Sequence, residues 1–304
     1  MSRDDGAAPR QVVVGIGAMV AAIALFSVMD VIIKGLRADY GTVQIFFFRS
    51  LFALIPAYVV IRGEGGLATM TTRRLPLQVF RSVLIIAFLI CLFYALKLLP
   101  LADAYAITFA APLFITALGV PMLGEAVGPR RWTAVVVGLI GVLAILRPGG
   151  GLLSAGGLIV FAGTLCYSLG MIYTRQLSRT ERNGVIVMYF TLTSTILSAV
   201  ALPFGWVWPT AGDWLLLATL GLIGGVGQVF ITQAFRSAPA AIASPFQYTS
   251  ILWGVAFGYL FFDDAPDAIM LAGAAIVVAS GLYILYRETR GERPTGRATT
   301  KDAQ

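Results

Sequence analysis

The chemistry this sequence can offer is set by a few polar residues stranded in apolar surroundings. Asp30 and Lys34 stand four residues apart inside one long hydrophobic run, so a helix puts them on a single face. Arg49 falls one to two turns into the next apolar run, at comparable depth. Charges inside apolar runs are expensive, which makes Asp30, Lys34 and Arg49 candidates for gating or coupling. The trio can close an outer gate, engage a substrate carboxylate, or pair structurally while Lys34 reaches out to polar headgroups.

Uncharged polar groups come next. Tyr94, Thr108, Gln228, Gln233, Gln247 and Tyr248 sit deep in apolar runs. An amide or hydroxyl in hydrocarbon needs a partner, so each is expected either to line a cavity or to bond another helix. Aromatic residues crowd the same stretches, among them Phe46, Phe47, Phe48, Phe109, Phe246 and Trp253. A cavity of aromatic faces with a few amides and hydroxyls suits amphipathic or aromatic solutes. Pro112 and Pro245 interrupt their runs, and proline frees a backbone carbonyl that can bind a donor or let the helix flex. Pro112 therefore joins the cavity set of Tyr94, Thr108, Phe109, Gln228, Gln233, Phe246, Gln247, Tyr248 and Trp253.

Other chemistry is excluded. The chain has no histidine, so Ser-His and Cys-His nucleophiles and the commonest metal ligand are missing. Its two cysteines, Cys91 and Cys166, lie in apolar runs and make neither a disulfide framework nor a metal site. Gly224-Gly225-Val226-Gly227 follows no strand, and Gly149-Gly150-Gly151 lacks the Lys-Ser/Thr of a phosphate loop. No enzyme activity, metal or other cofactor is expected.

The elements that must position these residues are membrane spans. The chain is 58% hydrophobic and 12% charged, about half the charge of a soluble domain, with a mean hydropathy of +0.86. A spanning helix needs about 20 apolar residues. That ruler gives ten ranges: 12–36, 42–62, 77–97, 103–123, 130–147, 155–176, 184–204, 213–236, 240–262 and 267–286. The expected fold is all-α and polytopic. The first range reads as a retained span rather than a cleaved leader, and no stretch could hold a soluble domain.

Net charge is +7, but the basic residues cluster at the ends of apolar runs, which argues for topology and against nucleic acid. On alternate loops, one side gathers Arg3, Arg10, Arg62, Arg73, Arg74, Arg81, Arg130, Arg131, Arg175, Arg179, Arg182, Arg236 and the tail. The other side holds Lys34, Arg37, Lys97 and Arg147, with Asp213, Asp263 and Asp267. The bias of about four to one puts both termini in the cytoplasm. Trp206, Trp208 and Trp214 then read as an outer interfacial belt. Gly221-x3-Gly225 is a small-residue face for close helix contact. Glu125 and Asp264 end equivalent helices on opposite sides, and Glu125 is expected to tether to Arg130 or Arg131.

The sequence also repeats itself. With Pro100 set against Pro239, Ala95 faces Ala234, Lys97 faces Arg236, Gly119 faces Gly258 and Glu125 faces Asp264. Ser27-x6-Lys34 likewise matches Ser168-x6-Arg175. Halves at 12–147 and 155–286 lie between an N-terminal segment, 1–11, and a basic tail, 287–304. Five spans per half is an odd number, so the second half enters the bilayer inverted around a central cavity.

The ordered motifs are Pro100-Leu101-Ala102-Asp103-Ala104, Pro112-Leu113-Phe114, Leu123-Gly124-Glu125 and Gly138-x2-Gly141-Val142. With Ser27…Lys34 and Arg49-Ser50-Leu51-Phe52, they resemble the drug/metabolite transporter superfamily, specifically its ten-span EamA type. The second half departs from the pattern, with Asp264 for the motif glutamate and no match to Pro112. The resemblance implies metabolite export, amino acids included, through a cavity at the repeat interface. The sequence thus points to a secondary exporter of small metabolites, neutral or aromatic amino acids foremost, with drug-like or nucleobase-like solutes as the alternative. Its partners are a small-molecule substrate and the bacterial inner membrane, where it works as a monomer or homodimer.

Overall fold

A stretch of about 20 apolar residues in lipid must satisfy its own backbone, and the α-helix does so within one segment. The computed structural model describes residues 9–36, 39–95, 98, 101–146, 154–204, 206–262 and 268–290, and among these there is no strand. The first half comprises α1 (Pro9–Leu36), α2 (Thr42–Gly63), α3 (Leu75–Ala95), α4 (Leu101–Thr108), α5 (Ala111–Leu123) and α6 (Pro129–Leu146). The second comprises α7 (Ala155–Ser178), α8 (Asn183–Ala201), α9 (Ala211–Ser237), α10 (Ala240–Ala243), α11 (Thr249–Phe262) and α12 (Ala268–Arg290). Among the described residues seven helices are long and apolar enough to cross a membrane. They lie at Arg10–Ile33, Thr42–Gly63, Leu75–Leu92, Ala104–Leu123, Ala155–Ser178, Asn183–Ala201 and Ala211–Ser237. The remaining expected ranges hold α6, the α10–α11 segment and α12.

Two of the ranges are broken where proline stands. In the fourth, α4 ends at Thr108, residues Phe109 and Ala110 turn, and α5 restarts with Pro112 in its first turn. Without an N–H, Pro112 cannot continue the ladder of α4. In the ninth, Pro245 lies in a 3-10 turn, Ser244–Tyr248, between α10 and α11.

Long helices pack across the halves: α1 on α9, α3 on α7, α2 on α8 and α9, and α6 on α12. Where α9 crosses α2, a Cβ on Gly225 would meet Pro56 Cγ and lie 2.9 Å from Ala53 Cα, so only glycine permits this approach. The largest buried cluster joins Val12, Ile16, Met19 and Ala22 of α1 with Leu123, Phe235, Ala238 and Ala243. It fills the end of the bundle where α5, α7 and α9 finish. Outward-facing side chains such as Val59, Ile90, Leu158 and Leu215 are exposed, which suits contact with lipid.

At the opposite end, the α1–α2 turn is tied to the segment before α9. The Tyr40 hydroxyl donates to Asp213 Oδ2 at 2.7 Å, and Gln44 exchanges two hydrogen bonds with the backbone of Val207. Of the tryptophans read as a belt, Trp208 and Trp214 are exposed, and Trp206 and Trp214 also pack on Phe48. Lys97, Pro100, Arg147, Asp263, Asp264, Asp267 and the tail beyond 290 lie outside the described residues, as do the side chains of Lys34 and Asp103.

Candidate functional site

The two proline breaks face a cavity of about 570 Å³. Its wall takes Ile23, Ser27, Asp30 and Val31 from α1, Phe88 from α3, and Tyr105 and Thr108 from α4. Phe109, Ala111 and Pro112 come from the α4–α5 break, Leu146 from α6 and Tyr167 from α7. Gln247 and the α11 residues Ser250, Ile251, Gly254 and Phe257 complete it. These positions lie in the C-terminal parts of α1 and α3, and Leu146 is the last residue of α6. The cavity therefore reaches the end of the bundle opposite the large buried cluster.

Asp30 is the one charged group among these wall residues. It is exposed and lines the cavity. Arg49 is in electrostatic range but not on the wall. Its Nε donates to Met29 Sδ at 3.2 Å and its guanidinium sits 5.7 Å from the Phe46 ring, behind α1. Among the described residues no direct ion pair joins Asp30 to Arg49, so their interaction acts across a gap, and the Lys34 side chain, third of the trio expected from sequence, lies outside the described residues.

Four hydroxyls on the wall have committed their protons to the protein. Ser27 Oγ donates to Ile23 O at 2.9 Å, Thr108 Oγ1 to Tyr105 O at 2.8 Å and Ser250 Oγ to Gln247 O at 2.9 Å. The Tyr167 hydroxyl donates to Gln247 Oε1 at 3.0 Å. Gln247 Nε2, in contrast, is buried without a partner among the described residues. A hydroxyl with its proton spent still offers lone pairs. Those four hydroxyls therefore meet a solute as acceptors.

The other end is sealed by a polar latch within the large cluster. Gly124 ends α5 at φ +68°, a left-handed conformation suited to glycine, and turns Glu125 inward. Glu125 Oε1 accepts from Arg175 Nε at 3.3 Å and Ala240 N at 3.0 Å, while Oε2 accepts from Ala241 N at 3.3 Å. Arg175 Nη1 also donates to Phe235 O at 2.8 Å and Arg236 O at 2.9 Å. The partner of Glu125 is thus Arg175, fifty positions away, rather than Arg130 or Arg131. Arg131 turns instead to the Ala126 carbonyl.

The remaining expected cavity residues lie elsewhere. Tyr94 is 55% exposed on the outer surface of α3. Gln233 accepts from Asn183 Nδ2 and donates to Ser237 Oγ, away from the cavity. Gln228 is buried on α9 with Nε2 unpaired among the described residues. Phe246 is in the large buried cluster, with Trp253 packed against it. Tyr248 is buried beside Val142 and Val277. Thr108, Phe109, Pro112 and Gln247 are the ones brought together on the wall.

Arg81 escaped the sequence reading, which counted it as a loop charge. It is fully buried, donating to Thr174 Oγ1 at 2.8 Å and Ile186 O at 3.1 Å, with its guanidinium 5.3 Å from the Phe190 ring. Its place within the range 77–97, between Gln78 and Ser82, was the signal.

The profile of the EamA-like transporter family matches residues 13–147 and again 154–286. A pseudopaline exporter of Pseudomonas aeruginosa is 31% identical over 280 residues, covering 87% of this chain and 94% of its own. A riboflavin transporter of Rhizobium johnstonii is 30% identical, covering 94% and 95%. An S-adenosylmethionine uptake transporter of Rickettsia conorii is 27% identical, covering 91% and 94%. A solved crystal structure, 20% identical, superposes with a TM-score of 0.78 over 92% of this chain and 99% of its own, a likeness of fold.

Proposed function

The chain belongs to the EamA-like transporter family, a group of polytopic membrane proteins, and on that premise we propose a ten-span secondary exporter of small organic metabolites working by alternating access. The observation that carries this reading is a cavity reaching one end of the bundle while a buried latch seals the other. Two halves of opposite polarity could exchange those states. The double family match supports such halves, as does the packing, since α1 lies on α9 as α3 lies on α7. The charge bias of the loops supports cytoplasmic termini, which makes the open end the outer one.

Neutral and aromatic amino acids remain within this reading, since aromatic rings and hydroxyls line the cavity. The second reading, a nucleobase-like or drug-like solute, is favoured by relatives named for riboflavin and S-adenosylmethionine, both of which carry fused heteroaromatic rings. Counterflow in proteoliposomes decides between them. Exchange of labelled amino acids supports the first, and exchange confined to heteroaromatic metabolites supports the second. No trans-stimulated exchange of any solute would defeat the transport reading.

A further inference from the structure

We infer that Asp30 makes this cavity selective for organic cations that join a positively charged nitrogen or sulfur to an aromatic group. The inference rests on the transport reading above and names the substrate class of the same cavity.

A solute cation entering a low-dielectric cavity loses hydration and needs a compensating negative group nearby. Asp30 supplies it, and no cationic side chain stands on the wall among the described residues. A solute carboxylate would have no such partner there, because Arg49 is turned towards Met29 and Phe46 behind α1.

Hydrogen-bond polarity points the same way. Ser27, Thr108, Ser250 and Tyr167 have all spent their protons on the protein, so they meet a solute as acceptors. An ammonium or a heteroaromatic N–H matches them, whereas a carboxylate does not. Gln247 provides an independent sign. It is 8% exposed and stands on the wall, and its Nε2, buried and unpaired among the described residues, is an amide donor left beside the cavity. The rings of Phe88, Phe109 and Tyr167 complete the match, because an aromatic face attracts a cation and stacks on a solute ring.

The test uses indoles that share one ring and differ in charge: N,N,N-trimethyltryptammonium, tryptophan and indole-3-propionate. The full-length protein, purified in detergent, is titrated with labelled trimethyltryptammonium and the others as competitors, and all three are run in counterflow. The cation is expected to bind at least about ten-fold more tightly than indole-3-propionate, a gap of about 1.4 kcal/mol. Asp30→Asn should weaken cation binding by about ten-fold or more, and Asp30→Glu should keep it within about three-fold.

Equal cation binding by Asp30→Asn overturns the inference. So does a wild-type preference for the anion or zwitterion, and that ranking decides the matter even if Asp30→Asn fails to purify as a single species. Counterflow of tryptophan or indole-3-propionate without the cation would sink the inference and leave transport standing. No exchange of these probes or any metabolite would remove both readings together.

Discussion

The open and sealed ends of this protein are built from matching sequence and differ in how their polar residues are used. On α1, Ser27 and Lys34 are spaced as Ser168 and Arg175 are on α7, and both serines bond the carbonyl four residues back. In that register Asp30 corresponds to Met171. Asp30 faces the cavity, whereas Met171 is 3% exposed in the large cluster. Arg175 is held by Glu125 and two carbonyls of α9. An end closes where an arginine is gripped by a carboxylate and backbone carbonyls and methionine fills the space beside it. It stays open where a carboxylate is left facing empty volume.

The latch is the place to break this contrast with the largest effect. Truncating one partner of a buried ion pair costs about 3–5 kcal/mol, because the other charge is left uncompensated. Glu125→Ala strands Arg175 and two backbone N–H groups, so it should lower the melting temperature sharply. It should also unseal that end. With Cys91 and Cys166 replaced, an Ala238→Cys reporter, fully buried in the parent, should gain reactivity towards a membrane-impermeant thiol reagent. A latch mutant with unchanged labelling would show that the seal is made by the apolar cluster alone.

The register itself can be tested by exchange. Met171→Asp places a carboxylate in a packed apolar region and should destabilise by several kcal/mol, on the order of 3 or more. Asp30→Met changes a residue already facing open volume and should cost no more than about 1 kcal/mol in thermal denaturation. Similar losses for the two would mean that Asp30 is a buried structural group and that the ends do not differ as described.

Seven of the expected ranges hold helices long and apolar enough to cross a membrane among the described residues, because a run of apolar residues of bilayer length has one way to satisfy its backbone. The proline breaks were legible too, since Pro112 and Pro245 lack the N–H that a continuous ladder needs. Thr108 and Gln247 stood out as polar groups deep in apolar runs, Phe109 as an aromatic and Pro112 as a helix break, and packing sets all four on the wall. Partners were not. Glu125 has basic neighbours at 130 and 131, yet its carboxylate goes to Arg175, which tertiary packing delivers from another helix. Gln233 and Tyr94 show the converse: polarity within a span says that a partner is needed, and only packing says whether it is Asn183, lipid headgroup or solute. Arg81 was hidden by its company, counted with Arg73 and Arg74 although it lies inside the helix they precede.

If the sealed end opens by rocking, the α2–α9 seam should hold in both states. Gly225→Ala drives a methyl group against Pro56 and Ala53 and should cost about 1–3 kcal/mol by overpacking. Thermal melts and counterflow should fall together. A variant that melts normally yet loses exchange would make this seam a moving joint instead.

The smallest effect belongs to the rim of the open end, where Tyr40 ties two turns through Asp213. Tyr40→Phe removes the bond its hydroxyl donates to Asp213 and the one it accepts from Thr210 N, and should lower the melting temperature only slightly. The Asp213 hydrogen bond holds the Tyr40 phenol above the ordinary tyrosine pKa. The neutral phenol is the bonded form, so the tie is fully present below about 10, the unperturbed value, and is lost as pH rises through the raised one. Parent and Tyr40→Phe melting curves should therefore keep a constant offset from pH 7 to about 9 and converge only in stronger alkali. Because this tie is spent on the rim and not on the cavity wall, solute exchange by Tyr40→Phe should match the parent. Loss of exchange would extend the working part of the open end outward to the loops.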